Sequence, residues 1–109
     1  MLRTANGKVL ADRVIVADTF WKRLKGLLGQ REMPHNTAML FRNCTQVHMF
    51  FMRFDIGVIF LDKDNQVLRK QWLRPWRVSA WVKGAAAVLE VSPDVLEQLV
   101  VGEMLEIGP

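Results

Sequence analysis

The run from Val47 to Leu61 is the densest apolar stretch of the chain, and it most narrows the folds open to it. Phe, Ile and Val dominate it, it contains no helix cap, and the polar turn Asp62-Lys63-Asp64-Asn65 follows it directly. β-Branched and aromatic residues bounded by such a turn read as strands. Met49 to Phe54 and Ile56 to Leu61 are therefore predicted to be extended, with a break or bulge near Asp55-Ile56-Gly57. Gln66 to Leu73 would return beside them as the second arm of a hairpin. His48 interrupts the apolar run, and no segment of the chain has the length needed to span a bilayer.

Around this centre the patterns are shorter. Lys8 to Asp18, opened by an Asn6-Gly7 turn, carries the strand-like set Val9, Leu10, Val14, Ile15 and Val16. Asp18-Thr19 offers an N-cap to a helix over Phe20 to Leu28, whose apolar residues Phe20, Leu24, Leu27 and Leu28 fall at helical spacing before Gly29. Arg31 to Thr37 reads as loop and Ala38 to Phe41 as a short strand. Pro75 and Gly84 bracket a loop holding Trp76 and Trp81, and Ala86 to Val91 reads as a further strand. Ser92 at the N-cap, Pro93 at the first helical position and Asp94 in the first turn start a helix that should run to about Val100 and stop at Gly102. Met104 to Ile107 would close the chain as a strand. About six strands and two short helices predict an α+β, mostly β domain, an antiparallel barrel-like or strongly curved sheet. No repeat, low-complexity tract or linker appears, so residues 1–109 are expected to form a single domain.

Half the residues are hydrophobic and about a quarter charged, which suits one packed core rather than a disordered chain. Cys44 is the single cysteine, so no intrachain disulfide can form. With no signal-peptide-like apolar stretch near Met1, a cytoplasmic location is expected. No cofactor is implied.

The charge is unevenly placed. Residues 1–89 hold all 15 basic side chains and 6 acidic ones, a formal +9, while the last twenty residues hold five acids and no base. From Asn65 to Leu89 there are cations only: Arg69, Lys70, Arg74, Arg77 and Lys83. A basic face can attract nucleic acid, anionic lipid or an acidic partner. The plainer expectation is that the acidic tail (Glu90, Asp94, Glu97, Glu103, Glu106) folds back beside the basic segment and neutralises it.

Three segments together carry a resemblance: Trp21-Lys-Arg-Leu-Lys-Gly-Leu-Leu-Gly29, Phe50-Phe-Met-Arg-Phe-Asp-Ile-Gly-Val-Ile-Phe-Leu-Asp62, and Ala87-Val-Leu-Glu-Val-Ser92 with Gly102 downstream. In this order and spacing the chain resembles the domain of unknown function 192 family of bacteria and archaea over roughly residues 8 to 107. The resemblance implies a compact, β-rich, barrel-like bacterial protein and no established activity, substrate or cofactor. It also implies an Asp directly before the Val-Ile-Phe-Leu-Asp stretch, where this chain has Gly57, while Asp55 stands where proline is common. Residues two apart on a strand share a face, so Asp55 is placed to offer a carboxylate nearby.

Four groups of residues could carry chemistry. Cys44, His48 and Asp55 form a nucleophile, base and orienter within twelve residues, which thiolate chemistry requires; a lone cysteine is more often a small core residue. The same residues with His35 could ligate a metal, but they lack paired ligand spacing, and no metal is expected. Phe50, Phe51, Met52 and Phe54 with Met39 and Met49 could line an apolar pocket, although strand aromatics are usually core. Trp72, Trp76 and Trp81 interleaved with Arg69, Lys70, Arg74, Arg77 and Lys83 suit a protein interface, unpaired nucleic acid or a membrane surface; a loop pinned by tryptophans is the structural alternative. These readings favour a non-enzymatic binding or accessory module for a small molecule or protein. Its candidate ligand-binding residues are Cys44, His48, Phe51 and Asp55, and its candidate partner-binding residues Arg74, Trp76, Arg77 and Trp81. A small enzyme using Cys44 and His48, or a single-stranded nucleic-acid binder through residues 69–83, are the alternatives.

Overall fold

In a computed structural model of the chain, residues 1–16, 36–42, 54–75 and 79–108 are described. Among them lie β1 (Leu2–Thr4), β2 (Val9–Ala11), β3 (Arg13–Val16), β4 (Thr37–Arg42), β5 (Ile56–Leu61), β6 (Val67–Leu73), β7 (Ala87–Val91), a 3₁₀ helix (Pro93–Gln98) and β8 (Leu105–Ile107). They form an open three-stranded sheet ordered β2-β1-β8 and an open five-stranded sheet ordered β3-β4-β7-β5-β6. The fold is mostly β, as the sequence predicts. The expected barrel-like closure is replaced by two open sheets, and the described residues hold one short helix; the helix predicted over Phe20 to Leu28 lies outside them.

The reason for the open arrangement lies at Asp12. The strand predicted over Lys8 to Asp18 divides there, so that Val9–Ala11 pairs with β1 while Arg13–Val16 pairs with β4. One run thus feeds two sheets and makes a corner between them. β3 and β4 are parallel, against the antiparallel expectation, whereas the other pairings are antiparallel. A parallel pair requires a long connection, which residues 17–36 supply.

β5 explains why its sequence shows no alternation: all six of its residues are buried. It sits between β7 and β6, and its two faces enter separate cores. Ile59 and Leu61 join Leu40, Leu89 and Val91 and, from the smaller sheet and the helix, Leu2, Leu10, Leu96, Leu99 and Leu105. Ile56, Val58 and Phe60 join Met39, Phe41, Phe54, Leu73 and Val88 on the opposite face. A central strand covered on both sides reads as a continuous apolar run. Glu90 lies between Met39 and Val58 across the ladders and is only 2% exposed. It therefore belongs to the interior of the sheet and not to the acidic surface.

The hairpin turn forms where Asp62 to Asn65 predicts it. The Asp62 Oδ1 accepts the amides of Asp64 (2.8 Å) and Gln66 (2.9 Å), and Asn65 takes a left-handed φ of 64°. Asn tolerates that conformation because its short polar side chain bonds locally. The helix predicted to run to Val100 is a 3₁₀ segment ending at Gln98. Ser92 has the extended backbone of an N-cap, but its hydroxyl pairs with the Asp94 carboxylate and caps no amide. At the other end Lys70 Nζ reaches across from β6 and donates to the carbonyls of Leu96 (2.6 Å) and Leu99 (2.8 Å). A cation there satisfies carbonyls that the helix itself leaves unbonded. Among the described residues no helix is long and apolar enough to cross a membrane.

Lys70→Met keeps the aliphatic stem and removes both of these bonds. It should cost about 1–2 kcal/mol in urea unfolding. A change within the error of the wild-type midpoint would show that the helix end does not depend on the lysine.

Candidate functional site

Of the residues singled out in the sequence, Asp55, Arg74 and Trp81 are among those described, whereas Cys44, His48, Phe51, Trp76 and Arg77 lie outside them. Asp55 immediately precedes β5 and is half-buried. Its Oδ2 accepts the indole N–H of Trp72 at 2.7 Å, a pairing of residues 17 apart in the chain. The carboxylate thus holds an aromatic ring in place, and the ring remains 55% exposed. Trp72 also stands opposite Gly57 in the β5–β6 ladder.

Gly57 itself is buried beneath the 3₁₀ helix. A Cβ at this position would lie 3.0 Å from Leu96 Cγ and 3.1 Å from both Leu96 Cδ2 and Val91 Cγ2. Leu96 therefore occupies the space into which an acidic side chain would project. A side chain at position 57 would therefore require Leu96 and Val91 to give way.

β6 carries Arg69 and Trp72, and Arg74 directly follows it, all three exposed. The loop bearing Trp81 is fastened to the same strand, because Ala80 N donates to Gln71 Oε1 at 3.1 Å. Trp81 is 74% exposed, and Lys83 beside it is exposed as well. The expectation that the acidic tail neutralises this segment is met only in position. The helix does lie beside β6, but Lys70 bonds to its carbonyls and not to its carboxylates. The one ion pair between described residues, Arg3 to Glu106 at 3.4 Å, belongs to the three-stranded sheet.

A separate cleft of about 130 Å³ opens between β2, the start of β4 and the start of the helix. Leu10, Asn36, Thr37, Ser92, Asp94 and Gln98 are among its walls, and none of its described residues is basic. No group of three His, Cys, Asp or Glu side chains among the described residues could hold a metal ion.

These features define a small two-sheet β protein with an exposed aromatic and basic surface. The chain belongs to the DUF192 family, described as an uncharacterized ACR, whose model matches residues 1–107. It is similar to a UPF0127 protein of Thermococcus sibiricus, 36% identical over 103 residues that cover 91% of this chain and 67% of the relative. A UPF0127 protein of Pyrococcus furiosus is 33% identical over 115 aligned positions, covering 97% of this chain and 96% of that one. These relatives are archaeal, not bacterial as expected. Two solved structures share the fold. A protein of unknown function from Novosphingobium aromaticivorans has a TM-score of 0.78 at 18% identity, over 97% of this chain and 81% of that one. A protein from Sinorhizobium meliloti described as a proposed transcription regulator has a TM-score of 0.73 at 22% identity, over 96% and 88%.

The packing at position 57 can be tested by a double-mutant cycle. Gly57→Ala should cost about 1–3 kcal/mol in the native chain, because the added methyl overpacks against Leu96. In a Leu96→Ala background that increment should fall by at least half. Equal increments in both backgrounds would place the cost elsewhere.

Proposed function

We propose that the chain is a single-domain, non-catalytic binding module that meets a protein partner through the surface around Trp72, Arg74 and Trp81. The observation that carries this reading is Trp81, 74% exposed on a loop fastened to the strand whose own Trp72 is held by Asp55. Each of these large indoles, left in water, forgoes burial worth about 25 cal/mol per Å². A partner that covers them recovers it. Trp and Arg are also the residue types in which binding energy concentrates. Because Asp55 already fixes the Trp72 ring, less side-chain freedom is lost when a partner arrives. Phe51, His48 and Cys44, which precede Asp55 in the sequence, and Trp76 and Arg77, which follow Arg74, stay candidate residues of the proposed module. We place the module in the cytoplasm, on the strength of its single thiol, Cys44.

A second reading is favoured by the exposed cations Arg69, Arg74 and Lys83, which no described carboxylate pairs. Stacking aromatics beside such cations is how unpaired nucleic acid is commonly held. The description of the Sinorhizobium meliloti structure is compatible with it, although a likeness at 22% identity speaks for the fold alone.

Arg74→Ala combined with Trp81→Ala should abolish capture of a specific protein partner while moving the unfolding free energy by no more than about 0.5 kcal/mol. Unchanged recovery of every partner would overturn the protein-binding reading. Titration with a single-stranded oligonucleotide separates the two. Tryptophan quenching that weakens steeply as salt rises would favour nucleic acid, and no quenching at low salt would remove it.

A further inference from the structure

We propose that the protein partner adds an extended segment to the open outer edge of β6 as a further strand, one that alternates apolar with acidic side chains. This rests on the reading of the surface as a protein contact, and it names what docks there.

β6 is the last strand of its sheet and is bonded to β5 along one edge only. Asp62 N donates to the Gln66 carbonyl at 3.0 Å, which makes Leu61 and Val67 a pair whose own amides and carbonyls turn away from each other. Val67 uses its groups outward: its N–H donates to the Glu103 carbonyl and its carbonyl accepts the Gly102 N–H, both at 2.8 Å. Alternation along β5 then turns Phe60, Val58 and Ile56 toward β6, so their partners Arg69, Gln71 and Leu73 bond inward. Lys70 and Trp72 turn their N–H and C=O groups outward, and no backbone group of the described residues bonds to them there. The chain's own segment from Gly102, bridged antiparallel at Met104 to Gln66, thus fills the start of this edge. The next two positions, about 7 Å apart, stay open.

Donors and acceptors at that spacing are matched in register by another extended polypeptide, as in strand addition. The two sides of the edge ask for different side chains. Trp72 lies on the helix side with Lys70, opposite Gly57 and Ile59, and an apolar cross-strand neighbour would cover its ring. Arg69 and Gln71 lie on the other side, opposite Phe60 and Val58, where Gln71 fastens the loop that bears Trp81 and Lys83. Neither β6 nor loop residues 79–86 contain an acid. The acids nearby are elsewhere: Asp55 holds the Trp72 indole, Glu97 is on the helix, and Glu103 Oε1 accepts the Val100 amide at 3.2 Å beside the filled start of the edge. Acidic side chains therefore suit the side of Arg69 and Lys83. A second copy offering its own β6 would set Arg69, Lys70 and Arg74 against the same three cations. Like charges on an edge guard against such self-pairing and leave it open to a strand of opposite charge.

Amide hydrogen exchange of the full chain, resolved by NMR, tests the edge and its occupant together. In the free chain the Lys70 and Trp72 amides should exchange at least about tenfold faster than those of Gln71 and Leu73. A capped peptide of about eight residues alternating Val and Glu should slow Lys70 and Trp72 about tenfold or more and leave Gln71 and Leu73 unchanged. Replacing its Glu by Lys should weaken binding about tenfold or more. So should N-methylation of its Val amides, the donors that face β6 when Val covers Trp72 in an antiparallel pair. No binding of the Val–Glu peptide, equal binding of the Val–Lys peptide, or binding that leaves the Lys70 and Trp72 amides unmoved overturns the proposal. Slowing of those two amides on concentrating the chain alone assigns the edge to a second copy and overturns it too. If the peptide fails while the Arg74→Ala, Trp81→Ala variant still loses a captured protein, strand addition falls and the contact surface stands.

Discussion

β5 has no face it can show to water, and the other elements are placed by that constraint. Burying Ile59 and Leu61 on one side and Val58 and Phe60 on the other requires two cores, one on each side of the same sheet. The first is closed by the three-stranded sheet and the 3₁₀ helix, which come together over β5 and β7. Gly57 is what lets the helix approach so closely, since the strand offers Leu96 a gap in place of a side chain. With Leu96 seated, the helix's terminal carbonyls fall within reach of Lys70, and β6 is tied to the same layer. A buried strand, a missing side chain and a single lysine thus form one chain of dependence from sequence to tertiary arrangement.

The parts of this arrangement legible in the sequence are those where local pattern and tertiary role agree. β5, β6, β7 and β8 are bounded by strong punctuation, and the turn at Asp62 to Asn65 forms because its side chains make its bonds unaided. The division at Asp12 escapes such reading, because a run rich in Val and Ile does not reveal that its halves enter different sheets. β1 is three residues long, too short for a period to show. The last helix carries every signal of an α-helix start, yet packing against Gly57 and the Lys70 bonds hold it to a short 3₁₀ segment. Glu90 counts as a tail acid by position alone. Its setting, Ala87-Val-Leu-Glu-Val91 with every flanking residue apolar, is the signal of a carboxylate inside a fully covered strand.

The candidate surface divides in the same way. Its composition is plain in the sequence, because tryptophans alternating with arginines stand out wherever they occur. The bond from Trp72 to Asp55 is not, since it depends on the β5–β6 register and links positions no local rule connects. The glycine at position 57 is visible as a departure from the family pattern, but its meaning requires Leu96, 39 positions later, in place. Charge is the clearest case of partial legibility. The basic and acidic halves do lie side by side, and geometry then keeps them from pairing.

The three-stranded sheet pairs β1 with β8 and sets the Met1 amino group against the Gly108 carbonyl. β8 is synthesised after every other described element, so β1, the central strand of its sheet, waits for its second neighbour until all of them have been made. Until then the first core lacks Leu105, and the layer over β5 is incomplete. Folding of this domain is therefore expected to be concerted and late, governed by contacts between strands far apart in the sequence.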